Sequence, residues 1–336
     1  MLSEEPNTLK NFSLTLPNGR SLMAAAAAAG LLAACSGGTG SKPAQSAAPG
    51  VPGPVSSGAK TIGVSIQDLE AQFYQEMEAG MQSEAKKYNY RVIFVDANRD
   101  SAKQQSQVED FIAKKVDAIV LTPYDSQAIG SAIAEANNAN VPVFTADIAN
   151  ASKQGKVVAH VASDNVQGGE MAAGLMCKAI GNSGDIAILD EPEVTSVQDR
   201  VKGFKAGIAS KCPNVKIVAE VDSGGSRNKA TSDMSDVLQA HKEIKGVFGI
   251  NDDTALGAVT AIRAAGVSNI AVIGYDAQAE ARTAIKNGQM YGDAIQYPDK
   301  IGALTIDAIH DYFSGKRVPA RVQVPTGTFT KANETK

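Results

Sequence analysis

Short apolar runs of this chain stop abruptly at polar residues that can hydrogen-bond a ligand. Residues 247–250 lead directly into Asn251, and similar runs end at Asp147 and Asp276. An ionised carboxylate accepts protons from two hydroxyl groups, and an amide both donates and accepts. These residue types, repeated at the ends of apolar runs, predict recognition of a small hydroxylated molecule.

The same residues do not make a complete catalytic or metal centre. Asp252 and Asp253 could act as an acid and base pair, but acids are common in the first turn of a helix and no nucleophile accompanies them. Residues 96–100 imitate the start of a calcium loop, yet Gln107 stands where its bidentate glutamate belongs, so they are predicted to end a strand and begin a helix. The three histidines lack the spacing of zinc ligands. We expect no enzyme activity, no metal and no cofactor.

The elements that must position the polar residues alternate regularly from residue 60 onward. Runs of strand length alternate with stretches of helical spacing, which indicates βαβ units and parallel sheets. The rhythm restarts near residue 168, so the chain is predicted to form two doubly wound, Rossmann-like α/β lobes with a cleft between them. The chain is predicted to cross between the lobes again near Gln296 and near Pro325, which would complete a three-segment hinge. The same patterns predict a strand over residues 157–161 and a helix over residues 127–139.

A leader precedes these elements. Residues 22–32 form an apolar run about as long as a signal-peptide core and too short to span a bilayer. The run ends in Leu32-Ala33-Ala34-Cys35, which resembles a bacterial lipobox. Residues 1–35 are therefore predicted to be a lipoprotein signal peptide that anchors the protein to the membrane through lipidated Cys35, and a secretory signal with an incidental cysteine is the alternative. Residues 36–59, rich in Gly, Ser, Pro and Ala, are predicted to be a flexible tether.

Length and charge narrow the range of functions. The chain has 336 residues, enough for two domains after a leader. Its net charge is −4. Binding to nucleic acid calls for a basic face, so we expect no nucleic-acid partner.

Four motifs carry a resemblance to a known family. In chain order they are Val161-x-Ser163-Asp164-Asn165, Asn251-Asp252-x-x-Ala255-Leu256-Gly257-Ala258, Gly274-Tyr275-Asp276 and Ile295-Gln296-x-Pro298-x-x-Ile301-Gly302. Together they resemble the ribose-type periplasmic sugar-binding proteins, over about residues 60–330. The resemblance implies the periplasmic binding protein type I fold, whose lobes close on a monosaccharide and deliver it to an ABC transporter permease. We expect the protein to be exported and monomeric.

The resemblance also implies a set of ligand-binding residues. They are an aromatic pair, Phe73 and Tyr74, and the polar residues Asp147, Arg200, Asn251, Asp276 and Gln296. Aromatic rings pack against the C–H faces of a sugar, while polar side chains bond its hydroxyl groups. Gln67 and Asp68, in the loop after the first strand, are additional candidates.

Other roles stay open for some of these residues. One ring of the aromatic pair could pack in the core beneath the first helix. Arg200 could be a surface charge paired with Asp199, and Asp276 could cap a helix.

Three departures from the family pattern bear on the ligand. Ile148 stands where ribose binders have an arginine. Ala71-Gln72 does not clearly supply the polar residue that precedes the aromatic pair in the family. The loop over residues 222–226 lacks the aromatic residue that the family has there. A lost donor leaves ligand hydroxyls unsatisfied at roughly 1–3 kcal/mol each. A pentose other than ribose, a hexose, a ketose or a polyol is therefore the expected ligand.

Two further predictions concern the lobes. The N-terminal lobe is predicted to contain residues 60–163 and 297–325, and the C-terminal lobe residues 164–296 and 326–336. Cys177 and Cys212 lie near the ends of two predicted helices, and exported proteins can keep disulfides. Whether the two are bridged stays open, and a Cα separation above roughly 7 Å would exclude it.

Three rival functions make different demands on the chain. A sensor that presents a bound sugar or signal molecule to a chemoreceptor or histidine kinase would use the same closed lobes, so the sequence does not separate it from import. A sugar-responsive repressor would need a helix-turn-helix, where residues 1–59 have a leader and tether. An enzyme acting on sugars would require turnover of a sugar by the purified protein.

Overall fold

The computed structural model describes residues 59–333. The predicted signal peptide, Cys35 and the predicted tether as far as residue 58 lie outside the described residues. None of the helices in the described part combines the length and the apolar character needed to cross a bilayer.

Strands and helices alternate through residues 59–333. The strands are β1 (Thr61–Ile66), β2 (Arg91–Asp96), β3 (Ala118–Leu121), β4 (Val143–Ala146), β5 (His160–Ser163), β6 (Ser183–Asp190), β7 (Asn214–Asp222), β8 (Ile244–Gly249), β9 (Ala271–Asp276), β10 (Gly292–Ile295), β11 (Arg321–Val324) and β12 (Gly327–Thr330). The helices are α1 (Gln72–Lys87), α2 (Ser101–Ala113), α3 (Gly130–Asn138), α4 (Asn165–Ala179), α5 (Thr195–Lys211), α6 (Arg227–Ala240), α7 (Asp252–Ala264), α8 (Ala279–Lys286) and α9 (Pro298–Phe313).

Local sequence explains where several elements begin. All four residues of β3 are buried, as in a central parallel strand that is covered on both faces. The carboxylate of Asp100 accepts the backbone N–H groups of Ala102 and Lys103 and so caps α2. Helix α9 begins with Pro298, whose missing N–H would have no partner in the first turn.

The strands form two six-stranded sheets with the same internal order. The first sheet has the order β11-β5-β4-β3-β1-β2 and the second β12-β10-β9-β8-β6-β7. In each sheet five sequential strands are parallel and doubly wound, with the switch in strand order beside β1 and β6. The expected α/β fold with two Rossmann-like lobes is confirmed.

The chain crosses between the lobes at three points. These are Asp164 between β5 and α4, residues 296–297 between β10 and α9, and residues 325–326 between β11 and β12. The predicted three-segment hinge is therefore confirmed. The last crossing also explains why β12 is antiparallel to β10. Strand β11 runs toward the cleft edge of its sheet, so after a two-residue link β12 starts at the cleft edge of the other sheet and must run away from it.

Glycines allow the helices that flank the hinge to pack closely. A Cβ atom on Gly169 of α4 would overlap the carbonyl oxygen of Arg200, and one on Gly203 of α5 would overlap that of Val166. The backbones of α4 and α5 therefore approach directly, which holds Arg200 at a defined depth beneath the cleft.

Two predicted elements differ from the structure in their bounds. The strand predicted over residues 157–161 is observed as His160–Ser163, and the helix predicted over residues 127–139 is observed as Gly130–Asn138. Residues 157–158 already contribute a backbone hydrogen bond, from the N–H of Val158 to the carbonyl of Val143, without completing strand geometry.

Cys177 and Cys212 form a disulfide, with their Cα atoms 5.8 Å apart.

Candidate ligand-binding site

A cavity of about 210 Å³ lies between the carboxyl ends of the two sheets. In doubly wound sheets this is the edge where ligands bind. Eight of the nine predicted binding residues line the cavity: Gln67, Phe73, Tyr74, Asp147, Arg200, Asn251, Asp276 and Gln296. The ninth, Asp68, is not part of the lining. Its carboxylate accepts the Nε–H of Arg99 at 2.8 Å and the backbone N–H of Glu70 at 2.9 Å.

The first lobe contributes a hydrogen-bonded chain and a pair of rings. The side-chain amide of Gln67 donates to the hydroxyl of Tyr74 at 2.6 Å, and this hydroxyl donates to Asp147 Oδ2 at 3.2 Å. The ring of Phe73 meets the ring of Tyr74 edge to face, with centroids 5.1 Å apart. Both rings are nearly buried and belong to the core as well as to the cavity wall, so the two roles proposed for them coexist.

Asp147 follows β4 in a strained backbone conformation. Its φ of 62° lies in the left-handed region, which residues other than glycine rarely adopt outside constrained sites. Burial raises the pKa of Asp147, while the charge of Arg200 and the hydrogen bond from Tyr74 oppose that rise. The carboxylate therefore lies between a ring hydroxyl of its own lobe and a guanidinium of the other lobe.

Arg200 is the central cation of the second lobe. It is 4% exposed, which rules out the alternative of a surface charge paired with Asp199. Its Nε–H donates to Asn165 Oδ1 and its Nη1 to the carbonyl of Ile250, both at 2.9 Å. The guanidinium also lies 4.2 Å from the centroid of the Tyr275 ring. These contacts leave part of the guanidinium fork directed at the cavity.

Asp276 ends β9 and faces Arg200 and the hinge. Its Oδ1 accepts the side-chain amide of Gln296 at 2.7 Å and lies 4.0 Å from Nη1 of Arg200. Burial raises the pKa of Asp276 to about 7, against the opposing effects of Arg200 and Gln296. The N-cap residue of α8 is Gln278, so the alternative role of Asp276 as cap of that helix is wrong.

Asn251 both caps a helix and reaches the cavity. Its Oδ1 accepts the backbone N–H of Thr254 at 2.8 Å, and the Thr254 hydroxyl reciprocates in a capping box. Its amide nitrogen donates to the carbonyl of Gly225 at 3.1 Å. The cap fixes the orientation of the amide, so the remaining N–H of Asn251 is available to a ligand.

In residues 59–333, the buried side-chain atoms of the cavity lining that have no hydrogen-bond partner are all oxygen acceptors. Within the part of the chain that the structure describes, the buried lining atoms without a hydrogen-bond partner are Gln67 Oε1, Asp147 Oδ1, Glu191 Oε1, Asp252 Oδ1, Gln278 Oε1 and Gln296 Oε1. A buried acceptor without a partner is costly. A ligand that stabilises this cavity must therefore supply many N–H or O–H donors.

Several residues of the cavity lining are not among the predicted binding residues. Glu191 follows the end of β6, so the strand-end pattern that identified Asn251 could also have found it. Arg99 lies in the β2–α2 loop and reaches the second lobe, which no local pattern indicates. Ile148 also lines the cavity. It stands where the family pattern of ribose binders has an arginine, so this cavity has one cation fewer than that pattern. No cluster of His, Cys, Asp or Glu in residues 59–333 has the arrangement of a metal site.

Comparison with known proteins identifies the family. The model of the periplasmic binding protein domain matches residues 62–317. The chain belongs to the periplasmic binding protein family. Among curated relatives of this periplasmic binding protein, the ribose import binding protein RbsB of Bacillus subtilis is 39% identical over 276 residues, which are 81% of this chain and 88% of that protein. The resemblance to ribose-type sugar-binding proteins is confirmed.

Solved structures agree with that assignment. A solute-binding protein from Agrobacterium vitis with bound α-D-tagatopyranose superimposes with a TM-score of 0.78 at 27% identity, covering 82% of this chain and 96% of that one. A solute-binding protein from Bacillus halodurans with bound myo-inositol has a TM-score of 0.76 at 31% identity, covering 83% and 96%. These relatives are sugar- or polyol-binding proteins of ABC transporters, and their family is one of periplasmic substrate-binding proteins rather than enzymes.

Proposed function

We propose that this periplasmic binding protein holds a monosaccharide or polyol between its lobes and delivers it to an ABC transporter permease. The observation that supports this most directly is the single cavity lined by Asp147 of one lobe and by Arg200, Asn251 and Asp276 of the other. The hinge residue Gln296 completes the set. No covalent chemistry is part of the proposal, because the residues bind and orient rather than attack.

The mechanism is closure of the lobes around the ligand. Backbone and hydroxyl groups bridge the cleft. The backbone carbonyl of Glu193, in the second lobe, accepts the N–H of Ser126 at 3.1 Å, and the Ser126 hydroxyl accepts the N–H of Thr195 at 3.0 Å. Such bonds form only when the lobes are closed. A sugar that bonds both lobes shifts the equilibrium toward this form by its difference in affinity for the two forms.

The ligand we propose is a hexose, a ketose or a cyclic polyol, or a pentose other than ribose. Relatives with this fold hold D-tagatose and myo-inositol, and their titles give the class of molecule rather than the ligand of this chain. The excess of unpartnered acceptors favours a molecule with hydroxyl groups around its whole perimeter. Ile148 removes a cation from the position where a ribose binder would have one.

A thermal-shift screen tests the proposal. The purified protein is heated with D-ribose, D-tagatose, D-allose, D-arabinose and myo-inositol, and one or a few of these should raise the unfolding midpoint by mass action. Asp276→Ala should lose that response, while Asp236→Ala, which removes an exposed carboxylate of α6, should keep it. A wild-type protein that responds to no sugar or polyol, or an Asp276→Ala variant that responds fully, would contradict the proposed site.

Transport and anchoring need separate measurements. We propose that the protein acts as a monomer anchored to the membrane by lipid on Cys35. Cys35→Ala should move the protein from the detergent phase to the aqueous phase in a detergent-partition assay. Cells lacking the protein should lose uptake of the labelled sugar, and loss of a sugar-dependent signalling response with normal uptake would favour a sensor instead.

A further inference from the structure

Glu191 is a buried carboxylate in the cavity lining, and its Oε1 has no hydrogen-bond partner among the described residues. It follows β6 in the second lobe, is 4% exposed and lines the cavity. Among described residues no donor reaches its Oε1 within hydrogen-bond distance. Burial raises its pKa to about 7, while the charges of Arg99 and Arg200 oppose the rise. A carboxylate in such surroundings is stabilised by any additional donor.

Arg99 brings a cation to Glu191 from the opposite lobe. Its Nη1 lies 3.7 Å from Glu191 Oε1, close enough for an ion pair but too far for a hydrogen bond. Asp68 anchors the guanidinium in the first lobe through its bond to Nε. Nη1 donates across the cleft to the carbonyl of Gly224, and the backbone of Arg99 has a φ of 55°. A strained residue that joins two lobes indicates a functional constraint.

The loop that receives Arg99 is shaped to fit Glu191. Gly225 has a φ of 62°, and a Cβ atom on it would overlap the Glu191 carboxylate. Gly224 has a similar φ of 54°, but a Cβ atom there would have no neighbour within 4 Å. The two glycines are thus equally constrained in backbone, and only Gly225 is constrained by Glu191.

We propose that Glu191 is a ligand-binding residue that determines specificity, and that Arg99 positions it by joining the lobes above the bound molecule. The proposal rests on the proposed function of the cavity. Glu191 accepts a hydrogen bond from a hydroxyl group of the sugar or polyol at the corner of the cavity next to the β7–α6 loop. Arg99 contributes by holding Asp68, Glu191 and that loop in one closed arrangement.

This arrangement predicts which ligands are discriminated. A site built to bond a hydroxyl group rejects the analogue that lacks it far more strongly than an apolar pocket would. Among the single-deoxy analogues of whichever panel sugar binds, one should lose affinity in wild-type protein because its missing hydroxyl would have met Glu191. The losses of binding free energy caused by that analogue and by Glu191→Gln should not add in a double-mutant cycle, since both changes remove the same bond.

The experiment measures the Kd of the panel sugar that binds wild-type protein most tightly, by calorimetry. Glu191→Gln has almost the same shape and should raise Kd about tenfold or more, the usual loss for a bond to a charged acceptor. Arg99→Gln should raise Kd similarly. Arg99→Lys should restore part of the affinity, because an ammonium can still pair with Asp68 or Glu191 but cannot also donate to the carbonyl of Gly224. Unfolding midpoints without sugar identify any variant that fails to fold.

The two glycines supply a matched control. Gly225→Ala should weaken binding at least fivefold more than Gly224→Ala, because both alanines have the same backbone strain and only the first displaces Glu191. Equal Kd values for Glu191→Gln and wild-type protein, or equal effects of the two alanines, would overturn this proposal while leaving the proposed function intact. A wild-type protein that binds no sugar or polyol of the panel would overturn both.

Discussion

The two lobes share one strand order, but the carboxyl groups at their cleft edges have different surroundings. In the first lobe Asp147 stands nearly alone and accepts a bond from the hydroxyl of Tyr74. In the second lobe Asp252, Asp276 and Asp293 are buried close to one another. Equal topology has therefore not produced equal electrostatics, and the second lobe holds most of the buried negative charge.

The second lobe contains two neighbouring buried acids, Asp252 and Asp293, whose surroundings favour retention of a proton. Asp293, on β10, is fully buried beside Asp252, and within the described residues neither of its carboxyl oxygens has a hydrogen-bond partner. Two neighbouring buried carboxyl groups repel each other when both are ionised, which favours a protonated form of one of them. Burial raises the pKa of Asp293 to about 7 and that of Asp252 well above its ordinary value, and the charge of Asp276 raises both further, while Arg282 lowers that of Asp293. This lobe should therefore respond to pH more than the first.

The largest expected effect follows from removing the cation that balances the cleft. Arg200→Met leaves Asp276 and Asp147 buried without their shared positive neighbour. Loss of one partner from a buried charge pair typically costs about 3–5 kcal/mol. We expect a fall of that size in the free energy of unfolding, measured in urea at pH 7, together with loss of sugar binding.

The control for that variant lies on the same helix. Lys202→Met removes an exposed cation of α5 and should change stability by no more than about 0.5 kcal/mol. If both variants had equally small effects, Arg200 would not be the balancing charge of the cleft.

A somewhat smaller effect should come from the disulfide, which stabilises the second lobe alone. Cys177 and Cys212 are 35 residues apart in sequence and join α4 to the end of α5. Closing a loop of that length is worth about 2–4 kcal/mol. Reduction should lower stability by that amount and increase hydrogen exchange in α4 and α5 more than in α1 and α9. A Cys177→Ala, Cys212→Ala protein should be insensitive to the reductant, and an equal loss of protection in both lobes would contradict a local role.

The positions of several cavity residues could be predicted because the fold places strand ends together. Asn251, Asp147 and Asp276 each follow an apolar run, and parallel sheets direct the ends of such runs toward one edge. The hydrophobic period therefore predicted the fold class and these three positions, whereas Phe73, Tyr74, Arg200 and Gln296 were predicted from the family resemblance. Element bounds were less predictable, since β5 begins at His160 rather than at residue 157.

The residues that escaped prediction depend on contacts between distant elements. Asp293 looks like an ordinary strand residue, and it becomes a partner of Asp252 only because β10 pairs with β9 opposite Gly274. A Cβ atom on Gly274 would overlap Asp293, so the missing side chain makes room for the carboxyl group. Arg99 belongs to a segment predicted only to end a strand and begin a helix, and its contact with Gly224 requires the closed lobes.

A pH effect of intermediate size should separate the lobes directly. Because the pKa of Asp293 in the folded state lies above its ordinary value, the folded protein retains a proton that the unfolded chain releases. Stability should therefore fall as pH rises from about 4 to about 7. Asp293→Asn removes this group's contribution and should make the protein more stable than wild type at pH 8, by up to about 4 kcal/mol, measured by urea unfolding.

Other groups keep part of the pH dependence in that variant. The pKa values of Asp276 and Glu191 are also raised to about 7, so the slope should decrease rather than vanish. Asp236→Asn, at an exposed position of the same lobe, should leave the slope unchanged. An Asp293→Asn protein with the wild-type slope would show that Asp293 does not retain a proton in the folded protein.

The smallest effect is expected in the first lobe, where Asp147 is hydrogen-bonded by the single hydroxyl of Tyr74 and is not part of a cluster of acids. Tyr74→Phe preserves the ring but removes the bond to Asp147 and the acceptor for the Gln67 amide. Because Arg200 still balances Asp147, we expect a loss of only about 1 kcal/mol in unfolding free energy. Sugar affinity should fall more than stability does, since an Asp147 carboxylate released from Tyr74 no longer has a fixed orientation toward the ligand. Gln67→Leu removes only the bond that orients Tyr74, so it should lower sugar affinity less than Tyr74→Phe does. A larger loss of affinity in Gln67→Leu than in Tyr74→Phe would place the ligand contact on Gln67 and not on Asp147.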